Sequence, residues 1–169
     1  METAQMLAET PIETSIYSEA ISAYELERGK PMPNKQHAAT QENLIDVLLR
    51  YKHLYRRLPE LSLRLHGEKF VPDIALYPRS ASDWHEPEKE MTIPPLLAIE
   101  IVSPSQSMDE MKVKADKYLA AGVKSVWLVF PALAGVMVFH EGRKAHFFSD
   151  GELLDDVLDI RVLIDEVFQ

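Results

Sequence analysis

Asp73, Glu100 and Lys114 are the residues in this sequence whose side chains could act together. Leu96-Leu97-Ala98-Ile99-Glu100-Ile101-Val102 is apolar apart from one carboxylate, and a charge in such a run is costly unless it is paired or holds a metal. Asp73 follows Pro72 in a second apolar stretch, Phe70 to Tyr77. Were these two stretches adjacent strands, both carboxylates would reach one end of the sheet. With a backbone carbonyl such as that of Ile101, they would suit a hard cation, and oxygen ligands favour Mg²⁺ or Mn²⁺ over zinc. A metal there would acidify a bound water and offset charge on a phosphodiester in its transition state. Lys114 would orient the attacking water, help deprotonate it, or hold the scissile phosphate.

Each residue also has an ordinary structural explanation. Asp73 could cap a turn after the proline, and Lys114 could be a surface lysine lying along its own helix. Glu100 could pair with an arginine such as Arg64. The D-x(26)-E spacing alone is weakly specific.

The elements that would carry these residues follow from periodicity. Residues 1–15 read as a loose arm and 16–169 as a single domain, with a short helix expected around Ile16–Tyr24. Gly29 to Asn34 is a loop. From His37 to about Arg56 the apolar residues Leu44, Val47, Leu48, Tyr51 and Leu54 recur at helical spacing. Leu61, Leu63 and Leu65 then alternate with polar residues up to a turn at Gly67, the mark of a half-buried strand. Phe70–Tyr77 reads as the next strand, with Pro72 confining its entry to an edge or an irregular stretch. Pro78–Pro95 is a polar loop whose Trp84 and His85 are candidates for gating or touching a substrate. Leu96–Val102 is expected to be a central strand covered on both faces.

Asp109–Ala121 is a good helix former with Gly122 at its end. Lys114 shares a stripe there with Met111 and Tyr118, at the border of the buried face, which makes it the helix's best-placed lysine to reach Glu100. Ser125–Phe130 is a strand stopped by Pro131, and Val136–Phe139 with Ala145–Phe148 form a meander. The tail contains short strands and a last turn. The order is β-β-β-α-β behind a helix.

Composition narrows the function. The chain has 169 residues, 46% hydrophobic and 27% charged, with a net charge of −9. No cysteine is present, which excludes disulfides, thiolate zinc sites and cysteine nucleophiles. The N-terminus lacks the basic and apolar regions of a secretory signal, and no apolar run reaches membrane-spanning length, so the expectation is a cytoplasmic protein without a membrane partner. The acidic sum opposes a DNA-coating role, yet bases cluster from Arg50 to Lys69 and from Lys112 to Lys124 while acids concentrate in the tail. One face could therefore still meet phosphates. Glycine-rich phosphate loops, G-x-S-x-G and H-E-x-x-H are all missing.

The string Val71-Pro72-Asp73-Ile74-Ala75-Leu76, then Leu97 to Ser105, then Lys114-x-x-x-Tyr118-x-x-Ala121-Gly122-Val123-x-x-x-Trp127-Leu128-Val129 resembles a known family. It is similar to the large bacterial group of restriction-endonuclease-like proteins, long classed as a domain of unknown function and abundant in cyanobacteria. The similarity reaches upstream to Tyr24-Glu25-Leu26-Glu27-Arg28-Gly29 and His37, covering about residues 16–165. The resemblance implies an α/β fold of the PD-(D/E)XK type, a mixed central sheet flanked by helices, with a magnesium site. Pro72-Asp73 stands for the PD element and Glu100 for the acidic residue of (D/E)XK. The expected strand lysine is replaced by Val102, and Lys114 matches a lysine that this family supplies from the following helix. Glu25 matches an acidic position in the N-terminal motif, a candidate metal or supporting ligand. His37 is a candidate for touching phosphate or capping its helix. Beyond Trp127-Leu128-Val129 relatives often carry an acid and proline, where this chain has Phe130-Pro131.

The leading expectation is a metal-dependent endodeoxyribonuclease acting on DNA as a homodimer, since cutting both strands of a duplex needs two sites. The Val136–Phe148 meander is the candidate interface. A second expectation, favoured by Val102 and the acidic tail, is a nuclease-fold protein that binds nucleic acid or a partner without cutting. A third is a metal-dependent hydrolase of another phosphoester.

Overall fold

The computed structural model describes residues 22–80, 85, 87 and 89–169. The expected arm 1–15, residues 16–21 of the expected first helix, and Asp83 and Trp84 lie outside the described residues.

Ser22 has extended backbone and caps helix α1 (Ala23–Arg28) in a reciprocal pair of bonds with Glu25. A helix over Ile16–Tyr24 therefore does not run through Ser22, and the described helix lies further along the chain. Helix α2 (Lys35–Val47) begins at Asn34, whose side chain accepts the His37 N–H, and ends in a 3₁₀ turn at Leu48–Tyr51. The helix expected as far as Arg56 stops there because Tyr55–Pro59 is instead strand β1. Long-range pairing with a later strand decides that segment, and local periodicity does not contain it.

Leu63–Leu65 (β2) and Glu68–Phe70 (β3) form a separate two-stranded hairpin around Gly67, whose φ of 85° is left-handed. The strand expected over Phe70–Tyr77 is broken at Val71–Asp73 and resumes as β4 (Ile74–Pro78). Pro72 has no N–H to offer a ladder, which fits the break. The remaining order is β5 (Leu97–Ile101), α3 (Met108–Ala120), β6 (Ser125–Phe130), β7 (Gly135–Phe139), β8 (His146–Phe148), β9 (Glu152–Asp155), β10 (Ile160–Leu163) and α4 (Ile164–Val167).

The main sheet runs β1-β4-β5-β6-β7-β8. Only β5 and β6 pair in parallel, and α3 is the crossover that joins them. Both faces of the sheet are covered. Ile74, Leu76, Leu97, Ile99, Trp127 and Val129 pack toward α2 and the C-terminal segment. The alternate residues Ala75, Tyr77, Ala98, Val126 and Leu128 pack with Met111, Ala115 and Tyr118 of α3. This two-sided burial explains the uninterrupted apolar reading of β5, all five of whose residues are buried. No helix among the described residues is long and apolar enough to cross a membrane.

Candidate active site

Strand register brings the two carboxylates together. Strands β4 and β5 are antiparallel with Ile74 opposite Ile99, so one step further along the ladder Asp73 faces Glu100. The Glu100 side chain lies on the α3 face of the sheet, where Lys114 and Tyr118 meet it. The break before β4 leaves Asp73 outside the ladder, where its carbonyl accepts from Glu60 N–H at 3.2 Å and from Gln41 Nε2 at 2.9 Å. Its side chain turns inward, and Oδ2 accepts the Ile101 N–H at 2.6 Å. Ile101 thus meets the site through its amide, whereas its carbonyl was the expected contributor.

Asp73 is fully buried and Glu100 is 1% exposed. Unpaired charges in such surroundings are strongly disfavoured, and here cations surround them. Lys114 Nζ is 2.9 Å from Glu100 Oε1, which also accepts the Tyr118 hydroxyl at 2.6 Å. Lys30 Nζ is 2.5 Å from Asp73 Oδ1 and 3.7 Å from Glu100 Oε2. His37 Nε2 is 3.1 Å from Asp73 Oδ1, and Arg28 Nη2 is 3.5 Å from the same oxygen and 2.5 Å from Glu60. Burial alone would raise the Asp73 carboxyl. The hydrogen bond from His37 and the charges of Lys30 and His37 outweigh burial and hold it well below the usual carboxylate range. Tyr118 is pushed well above its ordinary value by burial and by the Glu100 charge, so its hydroxyl remains a donor.

The structure brings Asp73, Glu100, Lys114 and His37 into one cluster. Arg64, the alternative partner for Glu100, instead makes a two-pronged contact with Glu90. Glu25 accepts from the Ser22 and Met32 N–H groups and so braces the turn on which Lys30 sits. Arg28, Lys30 and Tyr118 join the site without having been assigned a role from sequence. Tyr118 had a signal in the Lys114-x-x-x-Tyr118 spacing. Arg28 closes the six-residue helix α1 and Lys30 sits in the loop after it, and no local periodicity points from either toward a partner more than forty residues away.

The donor set fits a hard divalent cation. Two buried carboxylates converge on one point, and the position between them already holds a positive group, the Lys30 ammonium. A second group of metal-type ligands, His140, Asp155 and Asp156, also converges among the described residues. There Asp155 Oδ2 accepts from the Ser125 hydroxyl at 2.5 Å and Trp127 Nε1 at 2.8 Å, while Oδ1 accepts from the Val157 and Leu158 N–H groups and faces His140. Fixed donors occupy that carboxylate.

A mixed six-stranded sheet with helices on both faces makes this a restriction endonuclease-like fold. The chain matches the Uma2 family model, described as putative restriction endonuclease, over residues 15–163, and it belongs to that family. A crystal structure of a putative nuclease belonging to DUF820 from Anabaena variabilis shares the fold, with a TM-score of 0.70 at 24% identity over 82% of this chain and 83% of that one. The cryoEM structure of a DrdV–DNA complex aligns with a TM-score of 0.35 at 12% identity, over 67% of this chain and 84% of that one. No curated protein matches the chain. Family membership supports a nuclease-like function.

Proposed function

We propose that this chain is a metal-dependent endodeoxyribonuclease whose site is Asp73, Glu100 and Lys114. One observation carries the reading: a buried aspartate just before β4 and a buried glutamate in the neighbouring β5 converge while a helix lysine reaches the same glutamate at 2.9 Å. Asp73 and Glu100 would hold Mg²⁺ or Mn²⁺. The bound ion would supply charge against that of the phosphodiester and acidify water.

The chain's own residues do the rest. The Tyr118 hydroxyl fixes the orientation of Glu100, as outer hydrogen bonds fix metal ligands generally. Lys114 has a side chain 23% exposed, which lets its ammonium serve both Glu100 and an incoming phosphate or water. Arg28 adds a cationic donor beside Asp73, and His37 sets a ring nitrogen against the same oxygen. Arg28 Nε and Nη1 and His37 Nδ1 are buried without a hydrogen-bond partner among the described residues. The two unsatisfied guanidinium donors of Arg28 suit an anionic substrate. A homodimer would place two such sites on one duplex.

Cleavage of supercoiled plasmid tests the proposal, using wild type, Asp73→Ala, Glu100→Ala and Lys114→Ala with Mg²⁺ or Mn²⁺ at low salt and EDTA controls. Metal-dependent nicking lost in all three variants is the expected result. Wild-type protein that binds Mn²⁺ through Glu100 yet cuts neither DNA nor RNA would refute the nuclease and favour the non-cutting relative.

A further inference from the structure

Lys30 occupies the place a divalent ion would need. Its ammonium lies between the two carboxylates, 2.5 Å from Asp73 Oδ1 and 3.7 Å from Glu100 Oε2, with its side chain only 4% exposed. Asp73 is already crowded: Oδ1 faces Lys30, His37 and Arg28, while Oδ2 holds the Ile101 N–H. Each carboxylate oxygen offers two lone-pair positions, so a further ligand on Oδ1, the oxygen that faces Lys30, needs one of its three partners to leave. The Ile101 amide is part of strand β5, and His37 lies in the first turn of α2. Lys30 is different. It lies just beyond the six-residue helix α1, after Gly29, whose φ of 70° turns the chain, and its ammonium sits on a flexible four-carbon stem. An ammonium and a divalent ion within one coordination distance also repel strongly in a buried site.

We propose that Lys30 is a tethered competitor for the divalent ion, seated between Asp73 and Glu100, and that metal loading turns its ammonium out of the pair. The inference rests on the metal-binding reading of these two carboxylates and adds a regulatory residue to it. Without the ion, the lysine compensates two buried charges and closes the site. With the ion, Lys30 is released into solvent or toward the substrate phosphate. The chain thereby trades metal affinity for a stable metal-free state.

Two measurements on the full chain test it. Mn²⁺ binding by calorimetry and electron paramagnetic resonance would be compared for wild type, Lys30→Met and Glu100→Gln. If the ammonium holds the site nine-tenths of the time, its removal should tighten Mn²⁺ binding about tenfold, while Glu100→Gln should weaken it. In wild type, reductive methylation of Lys30, read by peptide mass spectrometry, should speed up several-fold when Mg²⁺ is added. Equal or weaker Mn²⁺ binding by folded Lys30→Met, with wild type still binding, overturns the competitor and leaves the metal site standing. Absence of Mn²⁺ binding in both proteins overturns the competitor and the metal site together. If Lys30→Met fails to fold, labelling of wild type decides, and Lys30 reactivity unchanged by bound Mg²⁺ overturns the proposal.

Discussion

Two fully buried aspartates, Asp73 and Asp155, show how the same side chain serves different ends. Asp155 is held by donors on short tethers, the Ser125 hydroxyl and Trp127 indole on β6 and two amides of its own following turn, with His140 beside Oδ1. Asp73 takes one fixed amide, from Ile101, and otherwise faces His37, Lys30 and Arg28. The first arrangement ties the C-terminal segment to the sheet through uncharged hydroxyl, indole and amide donors. The second balances charge with side chains, two of them on long stems, and can exchange partners. Ligand type alone does not separate the two centres, since His140, Asp155 and Asp156 also converge. The donors do: cationic side chains on long stems at Asp73, mostly short-tethered hydroxyl, indole and backbone groups at Asp155.

The largest effect expected from this contrast lies at Asp73 and its partner. Asp73→Asn or Glu100→Gln should lower metal-dependent cleavage by at least about 100-fold, because even outer partners of metal ligands are worth 10–100-fold. Rates of plasmid nicking at saturating Mg²⁺ would measure it, and near-normal rates in either variant would end the proposed chemistry. Asp155→Ala should act on stability instead. It leaves a hydroxyl, an indole N–H and two amides without their acceptor, a loss of about 3 kcal/mol or more. Urea unfolding followed by fluorescence reads it directly, and a loss below about 1 kcal/mol would mean that these donors find water instead. Tyr118→Phe comes next. Glu100 keeps Lys114 but loses its neutral donor, so stability should fall by about 1 kcal/mol and Mn²⁺ affinity by about tenfold. Unchanged Mn²⁺ affinity would show that Tyr118 fills space without aligning Glu100.

How much of this was legible depended on whether a residue's partner lies within reach of a local pattern. Glu100 announced itself as the lone charge in β5, and the spacing of Met111, Lys114 and Tyr118 placed the lysine on the correct side of α3. The central strand, the crossover helix and the β7–β8 meander followed from apolar runs and turn residues. Strand β1 did not, because Tyr55–Pro59 continues a helical pattern and becomes a strand only by pairing with β4. Lys30 and Asp155 were equally hidden. The first sits in a proline-flanked loop and the second in an acidic tail, and each gains its meaning from contacts with distant segments.

The smallest expected effect is the most direct test of which centre takes metal. Asp156 is an exposed member of the His140 group, bonded to Arg143 at 2.8 Å with both side chains more than half exposed. The Arg143 contact lowers its carboxyl, and a surface pair of this kind contributes little. Asp156→Ala should therefore leave the urea unfolding midpoint, cleavage and Mn²⁺ affinity all essentially unchanged. Removing one of three ligands from a working metal centre could not be so quiet. A marked drop in Mn²⁺ affinity in Asp156→Ala would move the metal to the Asp155 centre and reverse the assignment of the two aspartates.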